Sequence, residues 1–379
     1  MDVLDIEKKL VSIPSFVDES NNEVELANWI SSYLKNFNFL EVRKQKVERD
    51  RFNVFAQSKS ESKILFAAHM DTVEPKEGGK YNPLEPNIEK DKLFGLGALD
   101  TKACIASMLA CLDNFKDLNN ADFLFYCDEE YSFKGMRRFL SEAGEKDNSW
   151  NLAIVGEPSH LKIMNAHRGL LEVEFAIKGK SGHAARPKEG NNANEALMRI
   201  FRSTKQKIKK YKHEKLGTPS VNIAFMRGGL LKDRKDNGEI ILGDQGNNIP
   251  DYAKAKLDIR TTTENLRAQE VKDIIEEQCQ KEEVGLFNFS INHDLGSLYT
   301  DPSKIEVVKE TFKKNNLPLE YQDPSQRGYG DGQMIKERLE IPTVYLGAKG
   351  KGMHSAGEWV SIQSLEKLTS LYTNIIDSK

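Results

Sequence analysis

Three short apolar runs in the first half of the chain each stop on residues that carry chemistry. Lys63–Ala68 runs into His69, residues 122–127 (DFLFYC) run into Asp128-Glu129-Glu130, and Leu152–Val155 runs into Gly156-Glu157. Apolar runs of this length, bounded by polar residues, read as strands buried on both faces. Between the first two, residues 101–115 (TKACIASMLACLDNF) are apolar almost all round and read as a buried helix; 134–143 reads as another. Ahead of them lie helices over 2–12 and 21–36 and strands over Leu40–Val47 and Asn53–Gln57. Strand, helix, strand with polar residues at the strand ends is the order of an α/β domain. Its central sheet is mostly parallel, with a site at the carboxyl edge.

The texture changes near residue 170. Leu171–Lys178 (LEVEFAIK) alternates apolar and polar residues, as a strand with one wet face does. A helix over 191–210, strands over Ser220–Met226, Glu239–Leu242, Ala253–Arg260 and Leu286–His293, and a helix over 263–282 complete an α+β layer. From about 297 the first texture returns, with a helix over 302–314, a buried strand Thr343–Leu346 and a last helix near 361–376. The expected organisation is an α/β domain over 1–169 and 297–379, interrupted by an inserted α+β domain over 170–296.

With 55 Lys and Arg against 58 Asp and Glu, the formal net charge is −3, so no field draws in nucleic acid or an anionic membrane. The one basic cluster, Lys205 to Lys215, reads as the solvated face of a helix. No apolar run approaches the ~20 residues of a spanning helix. The opening MDVLDIEKKL is charged and amphipathic, unlike a signal peptide. Cys104, Cys111, Cys127 and Cys279 lack metal-ligand spacing and read as reduced thiols of a cytoplasmic protein.

Among only seven histidines, His69 closes a buried strand and His354 lies in a Gly-rich loop, GKGMHSAGEW. Together with Asp100, Glu129, Glu130 and Glu157 they make the mixed imidazole and carboxylate set that two adjacent zinc ions need. Each ion takes one imidazole and one carboxylate, a third carboxylate bridges, and a water between the ions becomes hydroxide near neutral pH. One carboxylate must stay unligated to move the proton. Asp71, two residues beyond His69 on the same strand face, suits the task of fixing the histidine ring.

The ordered motifs His69-Met70-Asp71-Thr72-Val73, Leu93-Phe94-Gly95-Leu96-Gly97-Ala98-Leu99-Asp100-Thr101-Lys102, Asp128-Glu129-Glu130, Gly156-Glu157-Pro158-Ser159 and His354 carry a resemblance. The chain resembles the di-zinc aminoacylase and carboxypeptidase family, which includes acetylornithine deacetylase, succinyl-diaminopimelate desuccinylase and glutamate carboxypeptidase. The resemblance implies that His69, Asp100 and Glu157 hold one zinc and Asp100, Glu130 and His354 the other, with cobalt or manganese as substitutes. It makes Asp100 the bridge, Glu129 the general acid/base and Asp71 the orienter of His69, and implies a cis bond after Asp100.

It also implies that the inserted, ferredoxin-like domain is a lid through which the chain forms a homodimer. Gly179-Lys180-Ser181-Gly182-His183-Ala184-Ala185-Arg186-Pro187 resembles the lid motif whose histidine, here His183, reaches a neighbouring subunit's active site. Asn248, Arg260 and the hinge residue Arg168 resemble binders of the substrate carboxylate, and Gly328-Tyr329-Gly330-Asp331-Gly332 resembles a substrate loop. The implied activity is hydrolysis of a small N-acyl amino acid of the acetylornithine type. Tyr329 stands where the desuccinylase pattern has a small hydroxyl residue, and Ala103 where several relatives have Gly. The ending Gly350 to Val360 leans towards the carboxypeptidase branch, so a short-peptide substrate and the desuccinylase reading stay open, as does an inactive metal-binding relative.

Overall fold

The computed structural model describes residues 1–118, 120–144, 149–324 and 329–378. The described chain divides into two compact units, one made of Met1–Ala166, Thr300–Asp323 and Asp331–Lys379, the other of His167–Tyr299 with Pro324–Gly330.

The first unit is built on a six-stranded sheet in the order Leu40–Glu48, Arg51–Ser58, Ala121–Tyr126, Ile64–His69, Leu152–Val155, Thr343–Tyr345. The last four strands pair in parallel. The hairpin of the first two is antiparallel and joins the sheet antiparallel, so the sheet is mixed. The four parallel strands are buried along their whole length, as strands covered on both faces must be.

Helix Lys102–Cys111 lies against this sheet with every residue buried. It contacts helices Val3–Val11 and Ile362–Ile376. Asp2 caps the first of these by accepting from the Asp5 N–H at 2.8 Å, and Ser361 caps the last. On the sheet, Phe66 stacks on Phe123 at 5.4 Å and meets the Tyr372 ring edge-on at 5.2 Å, all three buried. Phe66→Ala is expected to cost about 3–5 kcal/mol of stability, read from urea unfolding.

The second unit is a five-stranded antiparallel sheet in the order Ile240–Gly243, Ser220–Arg234, Tyr252–Arg260, Leu170–Lys178, Gly285–Leu295. Helices Ala193–Ile208 and Ala268–Lys281 pack on the sheet and on each other. Leaving aside the short Ile240–Gly243, strands and helices follow the ferredoxin-like order β-α-β-β-α-β. Val173, Phe175 and Ile177 face the helices. Glu172 and Glu174, on the wet face, pair with Lys256 at 3.3 Å and Lys254 at 2.7 Å.

Some elements depart from the sequence reading. Ser220–Arg234 runs eight residues further than its apolar start, through a bulge between Ile223 and Phe225. Helix Gly332–Leu339 opens in a glycine-rich stretch that gives no helix signal. A small sheet of Gly350–Lys351, Trp359–Ser361, Lys92–Phe94 and Asn87–Glu89 has strands of two or three residues, too short for any periodicity to show.

Candidate metal centre

Parallel strands in register end on the same edge of a sheet. His69 pairs with Tyr126, and Ala67 with Val155. His69, the turn Asp128-Glu129-Glu130 and Glu157 therefore leave the sheet side by side. Asp100 arrives from the loop before helix Lys102–Cys111, and its peptide bond to Thr101 is cis. The Thr101 hydroxyl ties this loop to the Glu157 strand end by donating to the Gly156 carbonyl at 2.7 Å. His354 sits in a tight turn with φ of 60°.

These side chains converge. Asp100 Oδ1 lies 3.3 Å from His69 Nε2, and Asp100 Oδ2 lies 3.3 Å from His354 Nε2. Glu157 Oε1 lies 3.5 Å from His69 Nε2 on one side, and Glu130 Oε1 lies 3.1 Å from His354 Nε2 on the other. Asp100 thus turns one oxygen to each of two imidazole–carboxylate pairs, the arrangement a bridging ligand adopts. Ligand atoms of each triad, His69–Asp100–Glu157 and Asp100–Glu130–His354, lie within 4.8 Å of one another. The first triad is buried and the second opens outward, with His354 exposed.

The electrostatics call for cations. Burial disfavours charge on His69, yet Asp100, Glu157 and Glu129 outweigh it and hold the imidazole well above its ordinary pKa. Hydrogen bonds donated to Asp100 and Glu130 push His354 up to about 10. Burial raises the Glu129 carboxyl well above its usual range, opposed by His69 and reinforced by Glu157 and Asp331. Four carboxylates around two imidazoles leave negative charge in excess in a largely buried place, and divalent metals favour such oxygen and nitrogen donors.

Asp71 works differently from the expectation. The strand ends at His69, and it is the Asp71 backbone carbonyl that meets His69 Nδ1, at 2.9 Å. Its carboxylate oxygen is 3.8 Å from that nitrogen. The two carboxylate oxygens instead accept the Glu129 and Glu130 N–H groups at 3.1 and 3.0 Å, so Asp71 fixes the acid loop as well as the ring.

Three further groups support this loop or lie beside it without a sequence signal. Arg51 Nη1 donates to Asp128 at 2.9 Å while its Nε meets Glu23 at 2.8 Å, all buried. The buried Tyr126 hydroxyl donates to Asp331 at 2.9 Å. Glu358 accepts N–H groups of the Asp100 loop. Lone charged residues in polar or strand contexts read as surface decoration until the fold buries them.

The remaining expected site residues belong to the second unit. His183 Nδ1 accepts from the Ala185 N–H at 3.1 Å, and His183 bridges to Asn248 in backbone pairing. The Asn248 amide reaches Gln245 at 3.3 Å. Arg168 Nε donates to the Leu216 carbonyl at 3.0 Å. Arg260 donates through Nε and Nη2 to Asp258 at 2.9 and 3.0 Å, an ion pair within one strand. Tyr329 is half-buried, and Gly328 lies outside the described residues.

An α/β sheet whose carboxyl edge gathers two histidines around a shared aspartate defines a metal-dependent hydrolase. The chain belongs to Peptidase family M20/M25/M40, whose profile matches residues 65–378, and it is a hydrolase of amide bonds. It is 28% identical to a succinyl-diaminopimelate desuccinylase of Rickettsia bellii over 97% of this chain and 94% of that protein. It is 31% identical to an acetylornithine deacetylase of Aliivibrio fischeri over 59% of this chain and 60% of that one. Among solved structures, a tripeptidase of Staphylococcus aureus matches with a TM-score of 0.73 at 20% identity, covering 99% and 96% of the two chains. A dinuclear metal-binding peptidase of Bacillus subtilis matches at 0.67 and 17% identity, covering 99% and 96%. Among the described residues no helix is long and apolar enough to cross a membrane.

Proposed function

We propose that the chain is a two-zinc deacylase that cleaves the amide of a small N-acyl amino acid of the acetylornithine type. The observation that carries this reading is Asp100, with one oxygen toward each imidazole at 3.3 Å and Glu129 beside them. The donor set fits zinc, with cobalt or manganese as substitutes. His69, Asp100 and Glu157 would hold one ion and Asp100, Glu130 and His354 the other. When bound, the ions supply polarisation of the scissile carbonyl and lower the pKa of water to near neutrality.

The protein's own part is positioning and proton transfer. Glu129 takes a proton from the attacking water and delivers it to the departing amine nitrogen. Asp71 keeps the Glu129 and Glu130 backbone in place for this through the two N–H bonds. The reading places the enzyme in the cytoplasm, in keeping with four buried cysteines kept as free thiols.

The second unit serves as lid and dimerisation domain in this reading. Residues 220–229 of strand Ser220–Arg234 pair on one side only among the described residues, beside exposed Phe225 and Met226. Such an edge suits a second copy of the chain. His183 of the partner would then donate to the oxyanion, with Asn248 and Arg168 toward the substrate carboxylate. His183→Ala is expected to lower kcat by about 10²–10³-fold with metal content unchanged. Mixing it with Glu129→Gln subunits should restore activity at about a quarter of the sites, because half the dimers then carry one complete site.

A desuccinylase is the second reading, favoured by the relative of that name that matches 97% of the chain. Side-by-side hydrolysis of acetylornithine, succinyl-diaminopimelate and di- and tripeptides by zinc-loaded protein separates the two from a peptidase. Preferred turnover of acetylornithine supports the proposal. Preference for the succinyl compound or for peptides replaces it, and turnover of none of them leaves either an acyl substrate outside this panel or the inactive relative.

A further inference from the structure

The loop that delivers Asp100 has no ladder of its own. Gly95 to Asp100 is buried apart from half-exposed positions before it, yet it forms neither helix nor strand. Buried N–H groups need acceptors. Here most come from one residue. Glu358 Oε2 accepts from Gly97 at 2.9 Å, and Oε1 accepts from Leu99 at 2.8 Å and Asp100 at 2.9 Å. Its backbone carbonyl accepts from Gly95 at 3.2 Å. The Glu358 carboxylate is almost fully enclosed, in a layer that also holds the buried Lys102 and Glu7.

Glu358 also stands four residues after His354, and the next residue, Trp359, pairs with Phe94 in the small sheet. The segment that carries His354 is therefore stitched to the segment that carries Asp100 twice, by strand pairing and by this carboxylate. We propose that Glu358 is the positioning residue of the metal centre, setting Asp100 and His354 at the spacing that a shared metal ion requires. This rests on the reading of Asp100 and His354 as ligands.

The consequence is asymmetric. His69 and Glu157 leave adjacent parallel strands and keep their spacing whatever the loop does. Asp100 and His354 both depend on Glu358, so loss of the carboxylate weakens the outward-facing side first. Glutamine has the same shape but sets an NH₂ group against an N–H donor where an oxygen now accepts. Aspartate keeps the charge and loses the reach.

The test is stepwise zinc titration of metal-free wild type, Glu358→Gln, Glu358→Asp and His354→Ala against a chromophoric chelator. Steady-state kinetics at low and high zinc and the melting temperature of each metal-free protein accompany it. In Glu358→Gln the weaker zinc step is expected to lose about 10–100-fold in affinity, the range for groups that orient ligands. The tighter step, which keeps His69 and Glu157 and shares only Asp100, loses clearly less than the weaker one. kcat at low zinc falls and is recovered by excess zinc, with KM unchanged, and Glu358→Asp lies between. Wild-type affinity at both steps in Glu358→Gln overturns the inference, as does an equal loss at both steps with a lowered melting temperature. If Glu358→Gln does not fold, the same two outcomes are read in Glu358→Asp. If His354→Ala itself binds zinc like wild type, the ligand reading fails and this inference with it. Loss of a step in His354→Ala with none in Glu358→Gln removes only the inference.

Discussion

Glu129→Gln is expected to lower kcat by about 10³-fold or more and to leave bound metal unchanged, because the role proposed for the residue is to move a proton and hold no ion. Its neighbours make this a clean substitution. The Glu129 N–H is held by Asp71 at 3.1 Å and the Glu130 N–H by the other oxygen at 3.0 Å, so the turn keeps its shape when the side chain changes. Glutamine retains the size of the side chain and cannot accept the proton. Metal analysis beside kcat and KM separates this from a ligand defect. A variant that loses metal along with activity would move Glu129 into the ligand set, which its place in a group with His69 and Glu130 makes a concrete alternative. Undiminished turnover would remove it from the proton path.

Asp100→Asn reaches further, since one side chain serves both triads. The change removes the one negative charge that faces both imidazoles and replaces one oxygen with a donor. Several kcal/mol of charge stabilisation supplied by a metal corresponds to about 10³-fold in rate, and that fall is expected together with weakened binding at both steps. His354→Ala should differ in kind, sparing the His69–Asp100–Glu157 side. Equal metal losses in the two variants would argue that the triads do not share Asp100. Zinc content after desalting, with turnover on the preferred substrate, reads both.

The sequence makes most of the candidate metal set legible because its residues end apolar strands, and a strand that short has few places to go but a buried parallel sheet. His69, Glu129-Glu130 and Glu157 follow from that alone. Asp100 and His354 sit in irregular glycine-rich loops, where residue type makes them candidates and the resemblance to a family assigns each its part. What holds those loops was not legible. Glu358, Arg51 and Asp331 are charged residues whose burial depends on contacts across more than 70 residues of chain, and no local pattern announces such contacts. The contacts of Asp71 are hidden for the same kind of reason. Spacing put the residue beside His69, while the choice between its carboxylate and its carbonyl rests on where the strand ends. In the second unit, alternation made Leu170–Lys178 plain, whereas the length of Ser220–Arg234 is set by pairing through a bulge. Motif reading does not show that Arg260 has a partner two residues away, Asp258, which accepts from its Nε and Nη2.

The most direct measurement removes the metal and returns it. Purified protein is dialysed against chelator, then zinc is added back in steps while bound zinc per chain and hydrolysis of the best amide substrate are followed together. The expected result is turnover that disappears with the metal and returns as up to two zinc ions bind per chain. Full amide hydrolysis by the metal-free protein, or zinc binding that survives the loss of Asp100, would contradict the assignment of the chemistry to this centre.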